Sequence, residues 1–420
     1  MNHHIHHFSL EGSTTQTIEV TSGLKDKWTA GMLDQSGSGY SGSFRLDFTN
    51  CDEREVVQAV AKTLSRHPIL AASFDLKGGE LVGEGPLESD LYDWMIQTLS
   101  VSSEPLDEDT FKSSQAGSIT LPGLKVAKTA KPDHLSIWIG FWTFTCDGFS
   151  IDLLTEEIFE RLTKKAVRLT HKWKGYEKVD LTKVSPTDKE KIYPSSGPYG
   201  IDSKFNLSVH GDTRGESFPF SLSVNTESVG EIARRLRTTP FMLTFSAFQK
   251  AVSEVSEINS VVTGIPFSNR LSEYEMAAIG PFSNTISVTT THSDRPFFEE
   301  ANLGARALIE ASRRQRVVNS NLYPDYLLHR SSGLTLPFAQ IFNAWNSKKQ
   351  NQIIALNEGQ TMCLKLLHNN TARAGFEVTL DDNHPTVFGR IDMNKNIPFS
   401  IVKDILKQMD YHLSSLINKG

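Results

Sequence analysis

The sequence predicts an α/β protein built as two halves joined by a linker, and three observations lead there. The chain has 420 residues, more than the roughly 250 to 300 at which a single hydrophobic core stops growing. Both halves mix short apolar runs of strand length with apolar residues at the helical period. Between them, residues 164 to 219 shift to Lys, Thr, Ser, Gly and Pro, and Pro186, Pro194 and Pro198 break any long helix. The division expected is an N-terminal lobe over 1–185 and a C-terminal lobe over 186–420.

Taken in order, the elements each have a local reason. Asp52 is placed to cap a helix whose Val56, Val57, Val60 and Leu64 share one face, with Pro68 ending it. Leu135 to Trp142 is a dense apolar run suited to a buried strand, which enters a turn at Asp147-Gly148. Ser150 is expected to cap the following helix, which carries Ile151, Leu154, Ile158 and Leu162 on one face. Residues 143 to 148 therefore sit at a strand end, where a rigid scaffold presents side chains to a cleft. Beyond the linker, Phe241, Phe245, Phe248 and Val252 mark an amphipathic helix, and Ser260 to Pro266 a buried strand. Val378 and Leu380 alternate with Glu377 and Thr379 in a strand expected to be half-exposed. Ile401, Ile405, Met409, Leu413 and Leu416 give a C-terminal helix. No internal sequence repeat is present.

Composition narrows the function classes. A formal net charge of -6 supplies no overall basic footprint for nucleic acid, and 38% hydrophobic residues suffice for a sizeable core. No apolar run approaches the roughly 20 residues of a membrane span, and the N-terminus lacks the apolar centre of a signal peptide. A cytoplasmic protein with no membrane partner is expected. Cys51, Cys146 and Cys363 are too scattered for a local metal motif. His3, His4, His6 and His7 lie close enough to bind a divalent ion, but a frayed terminus is the simpler reading, and no metal is expected.

Residues 141 to 154 read Phe-Trp-Thr-Phe-Thr-Cys-Asp-Gly-Phe-Ser-Ile-Asp-Leu-Leu. The stretch resembles the His-His-x-x-x-Asp-Gly signature of non-ribosomal peptide synthetase condensation domains and their acyltransferase relatives. Trp142 and Thr143 stand where the two histidines belong. Further resemblances follow in order along the chain. Leu64-Ser65-Arg66-His67-Pro68-Ile69-Leu70 with Phe74 is similar to the family's R-H-P-x-L-R-x-x-F segment, Ala71 replacing the second Arg. Gly264-Ile265-Pro266-Phe267-Ser268-Asn269-Arg270 and Gly280-Pro281-Phe282-Ser283-Asn284-Thr285 resemble its G-x-P-x-x-x-R and G-x-F-x-N-T pair. Pro337-Phe338-Ala339-Gln340-Ile341-Phe342-Asn343 is similar to its P-F-x-Q-x-x-F-N strand, one position shorter. The family's usual aromatic segment is not found in residues 186 to 200.

The resemblance implies a fold of two chloramphenicol-acetyltransferase-like lobes in a V-shaped pseudo-dimer with a central tunnel. It implies a structural ion pair between Asp147, which precedes Gly148, and Arg270, bridging the motif turn to the second lobe. It places Thr143 at the position of the missing catalytic histidine and Asn343 near the tunnel, with Trp142, Asn284 and Gln340 as tunnel-lining candidates. A neutral alcohol cannot take the proton that an imidazole of pKa roughly 6.5 accepts, so ordinary histidine-dependent condensation is not expected. Each residue also has a plainer reading. Cys146 is more readily a buried filler than a nucleophile, Phe141 and Trp142 are core packing by default, and His67 is a satisfied structural histidine. His134 shares a strand face with Trp142 and not with Thr143, which makes it a poor replacement base.

Three function classes remain: an acyltransferase or condensing enzyme working by positioning, a non-catalytic module that docks a carrier protein or recruits an enzyme, and a repurposed cyclase. The reading adopted is a stand-alone condensation-domain-like protein of a peptide or hybrid polyketide assembly line. It would have no cofactor of its own and would meet the phosphopantetheine arm of a partner carrier protein, with a small-molecule or peptidyl thioester as substrate.

Overall fold

The structure is a computed structural model, and it describes residues 5–101, 106–114, 118–176, 212–317, 338–345, 351–381 and 384–418. In chain order the first half runs β1 (His6–His7), β2 (Thr15–Ile18), α1 (Ser22–Met32), β3 (Ser41–Thr49), α2 (Glu53–Leu64), a 3₁₀ turn (Pro68–Ala71), β4 (Ser73–Lys77), β5 (Glu80–Pro86), α3 (Glu88–Ser100), α4 (Glu108–Ser114), β6 (Lys125–Lys131), β7 (His134–Trp142) and α5 (Gly148–Leu162). The second half continues with β8 (Gly215–Asn225), α6 (Thr226–Arg235), α7 (Pro240–Ser256), β9 (Ser260–Phe267), α8 (Glu273–Met276), β10 (Asn284–Thr291), α9 (Phe297–Glu300) and α10 (Leu303–Ser312). It closes with β11 (Gln340–Trp345), β12 (Ile353–Ala355), β13 (Thr361–Leu367), β14 (Phe376–Asp381), β15 (Thr386–Asn394) and α11 (Phe399–Ile417).

The chain divides into two compact units, each α/β. The first comprises Met1–Lys178, Arg270–Ser283 and Ser347–Asn369; the second comprises Val179–Asn269, Asn284–Asn346 and Asn370–Gly420. The division over 1–185 and 186–420 expected from composition differs from this, because strand pairing overrides sequence order. In the six-stranded sheet β1-β6-β7-β3-β13-β12, a late segment of the chain supplies β12 and β13, and Leu364 pairs with Leu46. The first unit also holds a three-stranded sheet, β2-β5-β4. The second unit is a six-stranded sheet in the order β10-β9-β11-β14-β15-β8, with β11 parallel to both β9 and β14 and the other pairs antiparallel. The expected linker lies largely outside the described residues, as do Pro186, Pro194, Pro198, Pro337, the stretch 186 to 200, His3 and His4.

Local chemistry accounts for most elements. Asp52 caps α2 by accepting the Glu55 N–H at 2.8 Å, and Glu53 and Glu55 in the first turn favour the positive helix end. The β7 strand is buried at every position after His134, as expected of a strand flanked by β6 and β3 with side chains packed on both faces. Phe245, Phe248 and Val252 of α7 are buried together with Val402, Ile405, Met409 and Leu413 of α11 in the main core of the second unit.

Three local expectations change. Asp147, not Ser150, is the N-cap of α5, because Gly148 and Phe149 already take helical conformations and Ser150 donates its N–H to Asp147 Oδ1 at 2.9 Å. The β14 strand is not half-exposed: it lies between β11 and β15, and Glu377 is buried in a bidentate pair with Arg373. His6 and His7 are not frayed but pair with Val126 and Lys125 as an edge strand. Among the described residues no helix is long and apolar enough to cross a membrane.

Candidate active-site turn

The turn after β7 is built by hydrogen bonds from its own backbone. Thr143 N–H donates to the Tyr40 carbonyl at 2.8 Å, and the N–H groups of Thr145 and Cys146 return to the Trp142 carbonyl at 2.9 and 3.2 Å. The chain thereby reverses within a few residues and delivers Asp147 to the start of α5. Gly148 is the first helical residue and does not take a positive φ.

Asp147 is the centre of a buried polar cluster within the first unit, in which Arg270 Nε is left without a hydrogen-bond partner among the described residues. Its Oδ1 accepts from the Ser150 N–H at 2.9 Å, the Ser150 hydroxyl at 2.8 Å and Arg270 Nη2 at 2.9 Å; its Oδ2 accepts from the Ser283 N–H at 3.0 Å. Arg270 is fully buried at its side chain and sits between two aromatic faces, 4.2 Å from the centre of the Phe282 ring and 4.7 Å from that of Phe149. Its Nη1 donates to the carbonyls of Glu275 and, at 2.6 Å, Ala278. The expected ion pair is therefore present. It does not bridge to the second unit, because strand and turn packing places Arg270 itself in the first. Gly280 belongs to the same cluster: a Cβ there would collide with the Trp173 ring, and its N–H donates to Ser150 Oγ at 3.0 Å.

Thr143 has its backbone held, yet its Oγ1 is buried without a hydrogen-bond partner among the described residues. Trp142 is core: its indole donates to the Leu121 carbonyl at 2.9 Å and stacks on Phe144, in a cluster with Trp28 and Tyr40. Phe141 packs against Phe44. Cys146 is buried, and burial together with the neighbouring Asp147 carboxylate pushes its thiol well above the usual range, so it is no thiolate nucleophile. His67 is wholly buried with Nε2 2.9 Å from Thr170 Oγ1, and burial lowers its pKa to about 3. His134 is exposed, 3.9 Å from Asp47.

Asn284, Gln340 and Asn343 belong to the second unit. Asn284 donates to the carbonyls of Gln315 and Val317 at 2.9 and 3.0 Å. Gln340 is fully buried and donates to the Val262 carbonyl and Thr263 Oγ1. These two side chains satisfy neighbouring groups of the fold. Asn343 is partly exposed on β11 opposite Thr379.

Sequence patterns assign no role to two members of the cluster. Ser283 lies within the G-x-F-x-N-T resemblance at one of its variable positions. Lys27, whose Nζ donates to Ser283 Oγ at 2.9 Å, has no local signal at all.

The likeness to solved structures covers almost the whole chain. The first condensation domain of the calcium-dependent antibiotic synthetase, in complex with substrate analogue 3a, superposes with a TM-score of 0.63 at 15% identity, covering 97% of each chain. The condensation domain of the monacolin K polyketide synthase MokA gives a TM-score of 0.66 at 13% identity over 96% of this chain and 97% of that one. The fold is that of a condensation domain. The four-domain nonribosomal peptide synthetase holo-AB3403, bound to AMP and glycine, contains a match with a TM-score of 0.73 at 12% identity, covering 96% of the condensation-like chain and 33% of the larger protein.

Sequence relatives point the same way. A plipastatin synthase subunit of Bacillus subtilis (strain 168) is 22% identical over 386 residues, which span 87% of the condensation-like chain and 14% of that much longer protein. A linear gramicidin synthase subunit of Brevibacillus parabrevis is 28% identical over 138 residues, 33% of this chain and 2% of that protein. The chain thus spans a small fraction of the length of these synthetases. No family model matches the chain.

Proposed function

We propose that this condensation-like chain works in non-ribosomal peptide or hybrid polyketide biosynthesis. It would hold acyl or peptidyl thioesters, presented on the phosphopantetheine arm of a partner carrier protein, beside the turn at 143–148. Positioning would replace proton abstraction there. The observation that carries this reading is the buried, unpartnered hydroxyl of Thr143 at the end of β7, in a turn whose backbone is held by hydrogen bonds to the Tyr40 and Trp142 carbonyls. A buried hydroxyl without a partner costs about 1–3 kcal/mol, and a ligand carbonyl would recover that cost. No base is required if the acceptor arrives as a free amine, because orientation alone supplies effective molarities of order 10⁵ to 10⁸ M.

A second reading, carrier docking without turnover, is favoured by one feature: neither Thr143 nor the core-packed Trp142 can take a proton at neutral pH. Incubation with loaded carrier proteins, followed by intact-protein mass spectrometry of every tethered species, separates the two. New tethered product supports positioning catalysis, complex without product supports docking, and neither complex nor product refutes both.

A further inference from the structure

The second unit holds a cation that its own fold leaves unpaired. Helix α10 packs against β10 and α7 and buries Leu308 and Ala311 in the main core. Past its C-cap at Arg313 the chain continues as a tight turn, in which Arg314 N–H donates to the Ala311 carbonyl at 2.9 Å and Val317 N–H to the Arg314 carbonyl at 2.8 Å. Asn284, at the start of β10, donates to the carbonyls of Gln315 and Val317 and pins this turn to the sheet. The backbone at Arg314 is thereby held from both sides.

The Arg314 side chain is partly buried, and its Nε and Nη1 are enclosed without a hydrogen-bond partner among the described residues. No carboxylate or aromatic ring among the described residues takes up its charge either. Its neighbours differ: Arg313 is exposed and pairs with Glu310 at 3.1 Å, and Arg316 has an interaction of its own. Arg270 also leaves Nε open, but spends Nη1 on two carbonyls and Nη2 on Ser150 and the Asp147 carboxylate. A guanidinium is charged at neutral pH and only donates. The carbonyl end of α10 supplies about half a negative charge at most, too little to balance it. Enclosing such donors without acceptors is costly, and an anion seated on them removes the cost. Nη2 is not enclosed in this way, which leaves an approach from solvent.

Charge and shape decide the class of anion. One unbalanced cation calls for one negative charge, and a doubly charged phosphate would leave a surplus in the same partly enclosed place. Chloride has the right charge but cannot span two parallel N–H groups, as the two oxygens of a carboxylate do. We infer that Arg314 is the receptor for a small carboxylate ligand, which enters at Nη2 and is held by the guanidinium fork on the turn that Asn284 pins. The inference stands apart from the proposed thioester function.

Isothermal titration calorimetry of the full chain at pH 7 and constant ionic strength, with acetate or inorganic phosphate replacing chloride, gives the first test. Saturable one-to-one binding of acetate is expected, tighter than that of phosphate and weakened about tenfold or more in Arg314→Gln. Thermal unfolding gives the second. At about ten times its dissociation constant, acetate should raise the wild-type midpoint by about 2 °C over chloride. Arg314→Gln should abolish that increment, and the exposed Arg313→Gln should keep it. In chloride alone Arg314→Gln should unfold no earlier than the wild type, because it removes a cation that nothing balances. Four results would each overturn the assignment: no saturation by about 20 mM acetate, an affinity too weak for a built site; tighter binding of phosphate; an acetate increment that survives Arg314→Gln; or an Arg314→Gln variant that unfolds well below the wild type in chloride, which would mean that the fold already satisfies the guanidinium.

Discussion

In the first unit the buried carboxylate of Asp147 meets the Arg270 guanidinium, and its oxygens accept from Ser150, Arg270 and Ser283. In the second unit the buried Glu300 meets Lys250 and His292, while the exposed Glu254 meets Lys250 and His412. The Asp147–Arg270 pair is out of water, whereas the second cluster opens to solvent at Glu254. The first fixes a turn, because removing Arg270 strands a buried charge; the second includes two imidazoles whose proton affinity burial lowers, and so answers to pH. The clusters thus differ both in the chemistry of their partners and in how deeply their carboxylates are buried.

The comparison can be broken most forcefully at Arg270. Arg270→Ala leaves Asp147 uncompensated and removes the donors to Glu275 and Ala278, and should cost about 3–5 kcal/mol of stability. Denaturant and thermal unfolding would read this as a lowered midpoint. An unchanged midpoint would mean that the cluster is not what holds the turn.

The next effect is pH dependence. His67, His292 and His412 all have folded-state pKa values below the unfolded value of 6.5, His67 at about 3. Below 6.5 the unfolded chain binds protons that the folded chain refuses, so stability is full above that pH and falls as pH drops from 6.5 toward 3. A loss of a few kcal/mol across this window is expected. The lowered carboxylates Asp47, Glu157 and Glu300 add their own losses only below about 4.5, so the slope between 6.5 and 4.5 belongs to the histidines. His67→Gln should flatten it. A wild-type protein equally stable at pH 7 and pH 5 would refute the assignment.

A smaller effect sharpens the functional reading. Thr143→Val removes an unpartnered hydroxyl at nearly constant volume, and should stabilise the free protein by about 1 kcal/mol. If the hydroxyl serves a bound thioester, the same change should weaken carrier-substrate binding or turnover by a few fold, well short of the roughly 10²- to 10⁴-fold that removing a general base would cost. A gain in stability with binding and turnover unaltered would assign Thr143 no role.

The smallest effect concerns Cys146. Its buried, raised thiol should alkylate with iodoacetamide only through unfolding, while the partly exposed Cys51 and Cys363 react in the native state. Peptide mapping after brief labelling checks this, and rapid native labelling of Cys146 would contradict its burial.

Much of the fold is legible in the sequence wherever neighbouring residues carry the information. Asp52 with Val56, Val60 and Leu64 dictates a capped amphipathic helix, and the run from Leu135 to Trp142 a buried strand, because both patterns repeat within a few residues. The Asp147–Arg270 pair is reachable through resemblance, across 123 residues of sequence. Periodicity, by contrast, misplaces the cap of α5 by three residues and misreads β14, since cap geometry and strand order are not local properties. It carries no signal for Lys27 beside Ser283, nor for His412 beside Glu254, which lie 158 residues apart.

The amino-acid order alone determined the α/β class, most element types and the presence of a threonine, which is no base, at position 143. Only the tertiary structure decided that residues 270–283 and 351–369 belong with the first unit, that Thr143 is left with an unpartnered hydroxyl, and that α7 and α11 line a common cavity. The physical reason is common to all three. Side-chain periodicity reports which face of an element is apolar, whereas strand partners, hydrogen-bond satisfaction and cavity walls are set by contacts between segments far apart in sequence.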